Sequence, residues 1–394
     1  MRLSKNLATL FFTLSFVFSL SATDQKSAAD STPLNPKVAE IIKKMTLREK
    51  IGQLFVISPE YLNPALLQKE RDTKKNIGLT ELTQTEIDFY KKYPAGGFVL
   101  FAKNVKTPEQ LVMLNSQLHS LSTNSSRSNL KPLIFIDEEG GMVARIAGNN
   151  NFDVPRFGNM YRIGSTDAAF TVGKTIGAYL KDYDIDVDFA PVADVNTNPA
   201  NPVIGERAFS SNPVVAGELA FAMYDGLASQ NIGGCLKHYP GHGDTRTDTH
   251  LGYAETTKTW NELLACELIP FIYCINNGAS MIMTAHISAP AVTHDKTPAS
   301  LSPILIDQKL RDELNYNGLI ITDSLSMKAI TLNYISSDAA VQAFLAGNDL
   351  LLLPEHYAQA FHAIYVALEK GIISQDRFNQ SLERIILYKL EHKL

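Results

Sequence analysis

Residues 234–250 read GCLKHYPGHGDTRTDTH, a short apolar run that ends abruptly in a polar loop, and the fold assignment starts from this pattern. Three histidines, two aspartates and a lysine lie within residues 237–250, together with Pro240, Gly241 and Gly243. Because proline and glycine interrupt regular structure, we interpret the segment as a strand that opens into a long loop. Loops on a rigid scaffold are where catalytic residues usually lie, so the segment predicts a catalytic site.

Similar apolar runs recur along the chain, with helical periodicity between them. The runs are Leu54–Ile57, Gly97–Phe101, Leu133–Ile136, Val187–Ala190, Gly234–Leu236, Met281–Thr284, Leu319–Ile321 and Leu350–Leu353, and the predicted helices include Ala168–Lys181, Pro213–Ser229, Asp338–Ala346, Ala358–Lys370 and Gln375–Leu394. Continuous apolar runs are typical of parallel strands that are buried on both faces. Eight such units predict an α/β fold, a single (β/α)8 TIM-type barrel with C-terminal helices, rather than an open doubly wound sheet.

Polar residues repeatedly follow these runs, at the point where each strand is predicted to end. They are Asp137, Asp194, the loop after Leu236, His286 and Asp323. The carboxyl ends of barrel strands meet at one mouth, which is where enzymes of this architecture place their active sites. The sequence therefore predicts one site assembled from several strands.

The overall composition is that of an ordinary globular protein, with 45% hydrophobic and 20% charged residues among 394. The net charge of -5 and the scattered Lys and Arg residues argue against nucleic acid as a partner. Three cysteines, Cys235, Cys266 and Cys274, are too few for a disulfide framework, and Cys235 is predicted to be a buried thiol.

The N-terminus has the layout of an export signal. Arg2 and Lys5 precede an almost wholly apolar stretch, Leu7–Leu20, which small residues and then a polar segment follow. We expect a signal peptide at 1–22, a flexible linker at 23–37 and a catalytic domain at 38–394, with export to the periplasm or the exterior. The alternative is an uncleaved anchor helix, for which the apolar stretch is short.

The loop at Lys237–His250 resembles the signature K-H-F-P-G-H-G-x-T-x-x-D-S-H of bacterial β-N-acetylglucosaminidases in glycoside hydrolase family 3. Other segments are similar to that family's motifs in the same order: Met45–Gln53, Ile136–Arg145, Phe189–Val195, Ile204–Arg207 and Ile321–Met327. The resemblance covers most of the chain and implies a barrel that hydrolyses terminal N-acetylglucosamine.

The resemblance implies that Asp323 is the nucleophile, with His250 as general acid/base and Asp248 as the partner of His250. The residues themselves fit these roles. Asp323 is a carboxylate just past an apolar strand, although an aspartate at that point also often caps a helix. The pKa of histidine, ordinarily about 6.5, suits proton transfer near neutral pH, and the Asp-x-His spacing permits the aspartate to orient the ring.

Sugar binding is the role that the resemblance implies for a second set of residues: Asp137, Arg145, Arg207, Lys237 and His238. Carboxylates accept hydrogen bonds from hydroxyls, and Arg or Lys donates to hydroxyls or an acetamido oxygen. For each residue alone, a surface ion pair or a helix cap is an alternative. His242, which lies between two glycines, is interpreted as an organiser of the loop rather than a catalyst.

The chain departs from the family pattern at a few positions. Glu138 stands for the usual Gln, Met142 for the usual Arg and Thr249 for the usual Ser. The first two neighbour Asp137, and we expect them to alter the region beyond the first sugar. The long polar segment Pro59–Pro94 is interpreted as a lid, an extra subsite or a partner surface.

Three other functions are consistent with parts of the sequence. A metal hydrolase would use His238, His242 and His250 with Asp244 and Asp248, but His-x3-His suits a helix, which the prolines and glycines here prevent. A non-catalytic sugar-binding barrel would not need the acidic residues and His250. A β-glucosidase, or a phosphorylase that transfers the sugar to phosphate, would share the fold.

The combined expectation is an exported retaining exo-β-N-acetylglucosaminidase that acts through a covalent glycosyl-enzyme. Its substrates would be peptidoglycan fragments or chitin-like oligosaccharides. No metal or organic cofactor is expected, nor stable membrane insertion after signal cleavage, and the protein is expected to be a monomer.

Overall fold

Eight parallel strands close into a barrel in the part of the chain that the computed structural model describes, residues 35–125, 128–245 and 254–392. The predicted signal peptide lies outside these residues, as does nearly all of the predicted linker. The described residues belong to the compact unit Asn35–Leu394.

The strands are short, and most of them form the barrel. In chain order they are β1 (Phe55–Ile57), β2 (Gly97–Leu100), β3 (Leu133–Ile136), β4 (Glu138–Gly140), β5 (Val143–Ala144), β6 (Val187–Asp188), β7 (Gly233–Gly234), β8 (Leu236–Tyr239), β9 (Ala254–Glu255), β10 (Met281–Thr284), β11 (Ile287–Ser288), β12 (Leu319–Thr322) and β13 (Leu351–Leu352). β7 and β8 form one barrel strand with an irregularity at Cys235. β4 and β5 form an antiparallel hairpin above the barrel, and β9 pairs with β11.

The hydrogen-bonded order around the barrel is β13, β1, β2, β3, β6, β7–β8, β10 and β12. Phe55 pairs with Leu351, and a bridge between Ile321 and Leu350 closes the ring. β3 and β12 are four strands apart in either direction, so they lie on opposite sides of the barrel. Residues that follow these two strands therefore face each other across the mouth.

Helices surround the strands. In chain order they are α1 (Pro36–Lys44), α2 (Leu47–Gly52), α3 (Pro64–Thr73), α4 (Gln84–Lys92), α5 (Pro108–Ser125), α6 (Thr166–Asp182), α7 (Pro213–Ala228), α8 (Trp260–Leu264), α9 (Ile269–Asn276), α10 (Pro290–Thr293), α11 (Lys328–Thr331), α12 (Ser336–Leu345), α13 (Tyr357–Glu369) and α14 (Gln375–Glu391), with a π-helical segment at Ile304–Glu313. Short 3-10 turns lie at Pro59–Leu62, Met160–Arg162, Gly205–Arg207 and Ala299–Leu301. None of the described helices is both long and apolar enough to cross a bilayer.

The predicted (β/α)8 barrel is confirmed, and each apolar run overlaps one of its strands. The barrel strands are buried along their length, which explains why their sequences are continuously apolar rather than alternating. The helix that begins at Leu47 starts with a capping box, in which Thr46 and Glu49 each accept a backbone N–H of the other residue. Cys235 is a buried free thiol, as predicted, and burial raises its pKa.

Two buried carboxylates order the segment Pro59–Pro94: Glu60 joins it to the loop after β2, and Glu86 acts within the segment. Glu60 accepts hydrogen bonds from the backbone N–H of Leu79 at 2.7 Å and from the Asn104 amide at 2.5 Å. Glu86 accepts one from the Asn63 amide at 2.6 Å. The sequence did not predict the helices α3 and α4 of this segment. Its polar composition gave no indication that Glu60 and Glu86 are buried.

Candidate active site

A cavity of about 290 Å³ opens at the carboxyl end of the barrel strands. Five predicted binding residues and Asp323 lie together in its wall. The cavity is lined by Val99, Phe101, Asp137, Glu139, Val143, Arg145, Phe189, Val203, Arg207, Lys237, His238, His242, Met283, Asp323, Ser324, Met327, Leu352 and Leu353. Apolar side chains from the strands form its floor, while the polar groups come from the strand ends, as barrel geometry dictates.

The β4–β5 hairpin positions the residues that follow β3, and Glu138 holds the hairpin in place. The Glu138 carboxylate is fully buried and accepts the backbone N–H groups of Arg145, Ile146 and Ala147 at 2.5–2.9 Å, as well as the Tyr179 hydroxyl at 2.9 Å. Burial raises the pKa of Glu138. These bonds fold the chain back so that Arg145 returns to the cavity.

The hairpin also shows where the two departures from the family pattern near Asp137 lie, Glu138 and Met142. Glu138 faces the inside of the hairpin and does not line the cavity, so it supports the site rather than contacting a ligand. The expectation that it alters the region beyond the first sugar is not supported by this position. Met142 lies at the hairpin tip and is 70% exposed.

A network of charges crosses the cavity wall, with Glu139 at its centre. Glu139 accepts two hydrogen bonds from Arg207, Nε to Oε2 at 2.8 Å and Nη2 to Oε1 at 2.7 Å, and Lys237 Nζ lies 2.5 Å from Oε1. Burial alone would raise the pKa of Glu139, but the charges of Lys237 and Arg207 outweigh it and hold that pKa well below its usual range. Burial alone would lower the pKa of Lys237, but the negative charges of Asp137 and Glu139 raise it.

Asp137 joins this network to Arg145. Lys237 Nζ donates to Asp137 Oδ1 at 2.9 Å, and Arg145 Nη2 donates to Asp137 Oδ2 at 3.3 Å. The side chain of Lys237 is only 3% exposed, so its position between two carboxylates is fixed. A ligand in the cavity therefore meets an ordered set of donors and acceptors.

Asp194 anchors the beginning of the histidine-rich loop. It accepts backbone N–H groups of His238 at 3.2 Å and His242 at 2.6 Å, and its Oδ2 lies 2.7 Å from Nδ1 of His238. Because Nδ1 is engaged, Nε2 is the ring nitrogen of His238 that remains for a ligand. Burial alone would raise the pKa of Asp194, but the two neighbouring histidines keep it below its usual range.

His242 is held within the loop, which agrees with its interpretation as a loop organiser. Its Nδ1 lies 2.7 Å from the Thr245 hydroxyl, and burial lowers its pKa. Gly243 is required beside it, because a Cβ there would lie 1.7 Å from the carbonyl oxygen of Val195. The Asn201 amide donates to the backbone carbonyls of His242 and Thr245 at 2.7 and 3.0 Å. Residues 246–253, which include Asp248 and His250, lie outside the described residues.

Asp323 follows β12 and lies across the mouth from Asp137 and Arg145. Its backbone N–H donates to the carbonyl of Thr284 at 2.8 Å, and one of its carboxylate oxygens accepts the backbone N–H of Ser324 at 2.7 Å. His286 fixes the next peptide, since its Nε2 lies 2.8 Å from the carbonyl oxygen of Ser324. Asp323 is partly exposed and lines the cavity, which places its carboxylate where a ligand can reach it.

Glu139 was not assigned a role from the sequence, although it is the most connected carboxylate of the cavity. Its position directly after Glu138, before Gly140 and Gly141, was the available signal. Which of two adjacent carboxylates faces the cavity depends on the hairpin, and that is a long-range property. Within the described residues, no group of three or more His, Cys, Asp or Glu side chains is arranged to hold a metal ion.

Comparison with known proteins places this geometry in a family. Residues 46–387 match the model of the glycosyl hydrolase family 3 N-terminal domain. The chain is similar to Beta-hexosaminidase A of Pseudoalteromonas piscicida, with 33% identity over 380 residues that cover 89% of this chain and 62% of that protein. It is also similar to the Beta-hexosaminidase of Nitrosomonas eutropha, with 35% identity over 288 residues, 71% of this chain and 79% of that protein.

A solved structure shows the same architecture. The glycoside hydrolase family 3 beta-N-acetylglucosaminidase from Paenibacillus sp. str. FPU-7 superposes with a TM-score of 0.80 at 32% identity and covers 88% of this chain and 63% of that chain. The present chain thus spans less than two thirds of this structure and of the Pseudoalteromonas protein.

Proposed function

The chain belongs to glycosyl hydrolase family 3, and from this we propose that it is a retaining exo-β-N-acetylglucosaminidase. The observation that carries the proposal is the placement of Asp323 opposite Asp137 and Arg145 across one small cavity. A cavity of about 290 Å³ lies at the lower end of the range of small-molecule sites and suits a single terminal sugar. The names of the similar proteins support the N-acetylhexosamine as that sugar.

The opposed positions define how the sugar would lie. The anomeric carbon has to approach Asp323, and the opposite side of the pyranose ring then faces Asp137 and Arg145. Hydroxyls on that side donate to Asp137 and accept from Arg145 and Lys237. Because Lys237 and Arg207 are already held by Glu139, the donors need no rearrangement when the sugar binds.

In the first step we assign the attack to Asp323. A bond forms between its carboxylate oxygen and the anomeric carbon while the bond to the leaving oxygen breaks, and His250 gives its proton to that oxygen. In the second step, water attacks the anomeric carbon, the bond to Asp323 breaks, and the proton of the water passes to His250. Asp248 orients and stabilises the charged imidazole.

The reaction class and the nucleophile can be tested together. Purified protein is assayed with nitrophenyl N-acetyl-β-glucosaminide beside the matching β-glucoside, and preference for the acetamido sugar is expected. A 5-fluoro analogue of the preferred substrate should slow the second step and leave a covalent sugar, which mass spectrometry of peptides locates on Asp323. Turnover without a covalent adduct would overturn the proposed nucleophile. Failure to release nitrophenol from either substrate would overturn the proposed reaction.

The proton donor has its own test in His250→Ala. We expect the largest losses, by a factor of about 10² or more, on substrates with poor leaving groups, because good leaving groups need little protonation. A plot of rate against leaving-group pKa should be steep for His250→Ala and shallow for the wild type. A uniform loss across leaving groups would show instead that His250 acts in binding.

The proposal also covers the natural substrate, the molecule that accepts the sugar and the location of the protein. We propose N-acetylglucosamine-containing wall fragments or chitin-like oligosaccharides as substrates, water rather than phosphate as the acceptor, and a monomer exported through the signal at 1–22. Identifying the sugar product in phosphate and in phosphate-free buffer decides between hydrolysis and phosphorolysis. N-terminal sequencing of the protein from fractionated cells tests the export, and an N-terminus at residue 1 in the cytoplasmic fraction would exclude it.

A further inference from the structure

A second cavity, of about 440 Å³, lies beside the active-site cavity on the side of β2 and β3. It is lined by Ala102, Val105, Lys106, Ala144, Arg145, Gly148, Asn149, Asn150 and Asn151, and we call it the outer cavity. Arg145 lines both cavities. Phe101 and Val143 line the active-site cavity, and the residues that follow them, Ala102 and Ala144, line the outer cavity. The two cavities therefore share a wall.

The lining of the outer cavity is polar and carries positive charge. It contains Lys106 and Arg145 together with three asparagines, and none of the lining residues is a carboxylate. Among the described residues, the Lys106 ammonium makes no ion pair. The Nε–H group of Arg145 is buried and has no acceptor within the same part of the chain. Of these two groups, Lys106 is exposed and therefore offers its charge directly to a ligand.

The wall of the outer cavity is already assembled in the absence of a ligand. The side-chain amide of Asn149 donates to the carbonyl of Val105 at 2.9 Å, and that of Asn151 donates to the carbonyl of Lys106 at 2.9 Å. These bonds join the loop after β2 to the loop after β5. A Cβ at Gly148 would lie 2.2 Å from the carbonyl oxygen of Ala144, so the tight turn after β5 requires glycine at this position.

We propose that the outer cavity binds an anionic ester group, a sulfate or a phosphate, carried on the C4 or C6 oxygen of the terminal sugar. The inference rests on the proposed function, which places the anomeric carbon at Asp323 and the C4–C6 side of the ring against Arg145. A substituent on that side extends past Arg145 into the outer cavity. The protein thereby accepts the unmodified terminal sugar and binds its charged esters more tightly.

The charge of the lining is the reason to expect an anion rather than a further neutral sugar. A site for a neutral sugar normally contains both hydrogen-bond donors and acceptors, because hydroxyls do both. Carboxylates normally supply many of those acceptors. The charged side chains of the lining, Lys106 and Arg145, are both cationic, and charged hydrogen bonds to an anion are the stronger kind. Lys106 is exposed, so its contribution should weaken as salt is added.

Direct binding of small sugars tests the proposal without depending on turnover. Isothermal titration calorimetry compares N-acetylglucosamine with its 4-sulfate, 6-sulfate and 6-phosphate, which separates the position of the ester from its chemistry. At least one ester should bind roughly tenfold more tightly than the parent sugar at low salt. Lys106→Met should remove that difference and leave the affinity for the parent sugar unchanged.

Two further variants make the test specific. Asn150→Asp places a carboxylate in the outer cavity and should reverse the preference for the ester. Lys328→Met removes the same charge from an exposed position after Met327, on the opposite side of the mouth, and should keep the preference. The proposal is overturned if no ester binds more tightly than the parent sugar, or if Lys106→Met retains the preference. Binding of the parent sugar without turnover of its nitrophenyl glycoside would instead count against the proposed function alone.

Discussion

Two networks of buried charge, one at each end of the barrel, are built from the same residue types but differ in what their donors face. The mouth network comprises Asp137, Glu139, Arg145, Arg207 and Lys237, and all five residues line the active-site cavity. The base network, at the other end, comprises Asp349 with Arg311, Arg377 and Arg384.

The base network is directed into the protein. Arg311 donates to the carbonyls of Tyr316 and Gly318 at 2.9 and 2.6 Å, as well as to Asp349 at 2.5 Å. The other two arginines belong to α14, and Ser381 of the same helix donates to Asp349 at 2.6 Å. These bonds fix the last helix to the barrel.

The mouth network has fewer bonds to the backbone, and its polar groups border open space. The lesson of the comparison is that buried charge by itself does not mark a functional site. It does so where the charged groups are ordered by each other yet still face a cavity. Substitutions at the mouth should therefore affect catalysis, and the same substitutions at the base should affect stability.

The largest effect is expected for Asp323→Asn, the change that removes the nucleophile from the mouth. Loss of a catalytic nucleophile should lower kcat/KM by about 10⁴-fold or more. The midpoint of thermal unfolding should stay close to that of the wild type, because Asp323 is partly exposed and faces the cavity. Steady-state kinetics and thermal unfolding measure the two quantities. Near-normal turnover would remove Asp323 from its proposed role.

Asp349→Asn is the matched change at the base and should give the opposite result. It leaves the three arginines without their shared carboxylate, and loss of one partner from a buried ion pair typically costs about 3–5 kcal/mol of unfolding free energy. Urea denaturation measures that loss. The kcat of the folded fraction should be unchanged, and a fall in kcat at full occupancy of the native state would break the distinction between the two ends.

Glu139→Gln tests the distinction between the two networks, because Glu139 combines a structural position with a position at the active site. It is buried like Asp349, but it orders Lys237 and Arg207 at the cavity. We expect kcat/KM to fall by about 10²-fold, the size of effect seen when one preorganised polar group is lost, together with about 1–3 kcal/mol of stability. Kinetics and urea denaturation on the same preparation separate the two losses. A loss of stability without a loss of kcat/KM would show that the role of Glu139 is structural.

The sequence was sufficient for the barrel, since its strands are continuous apolar runs whose burial does not depend on a particular partner. It was also sufficient to bring Asp137, Lys237 and Asp323 to one mouth, because strand ends converge in any such barrel. The contacts of Glu139 and the inward direction of Glu138 could not be predicted. The direction of Glu138 depends on the hairpin, and the contacts of Glu139 depend on Arg207 and Lys237, which lie far away in the chain.

The roles of Asp248 and His250 remain predictions, since both lie outside the described residues. The base network was also beyond prediction. Asp349 and its three arginines carry no motif, and only the closure of the barrel brings α14 against the strand that follows Asp349.

The smallest effect concerns Lys389 of α14, a further buried titratable group at the base. Its Nζ donates to Gln53 Oε1 at 2.7 Å and to the carbonyls of Gly96 and Lys131 at 2.8 and 2.9 Å. Burial lowers the pKa of Lys389 to about 7, whereas in the unfolded chain it is near the usual 10.5. Between these two values the unfolded chain binds more protons than the folded one.

The stability contribution of Lys389 should therefore rise as pH increases through that window, by up to about 1.4 kcal/mol per pH unit. The difference in unfolding free energy between the wild type and Lys389→Met, measured by urea denaturation from pH 7 to 9, isolates this term from other titrating groups. The wild type should gain on the variant across that range. A difference that stays flat would mean that the three oxygens keep Lys389 charged, and the base of the barrel would then hold a permanent cation as the mouth does with Lys237.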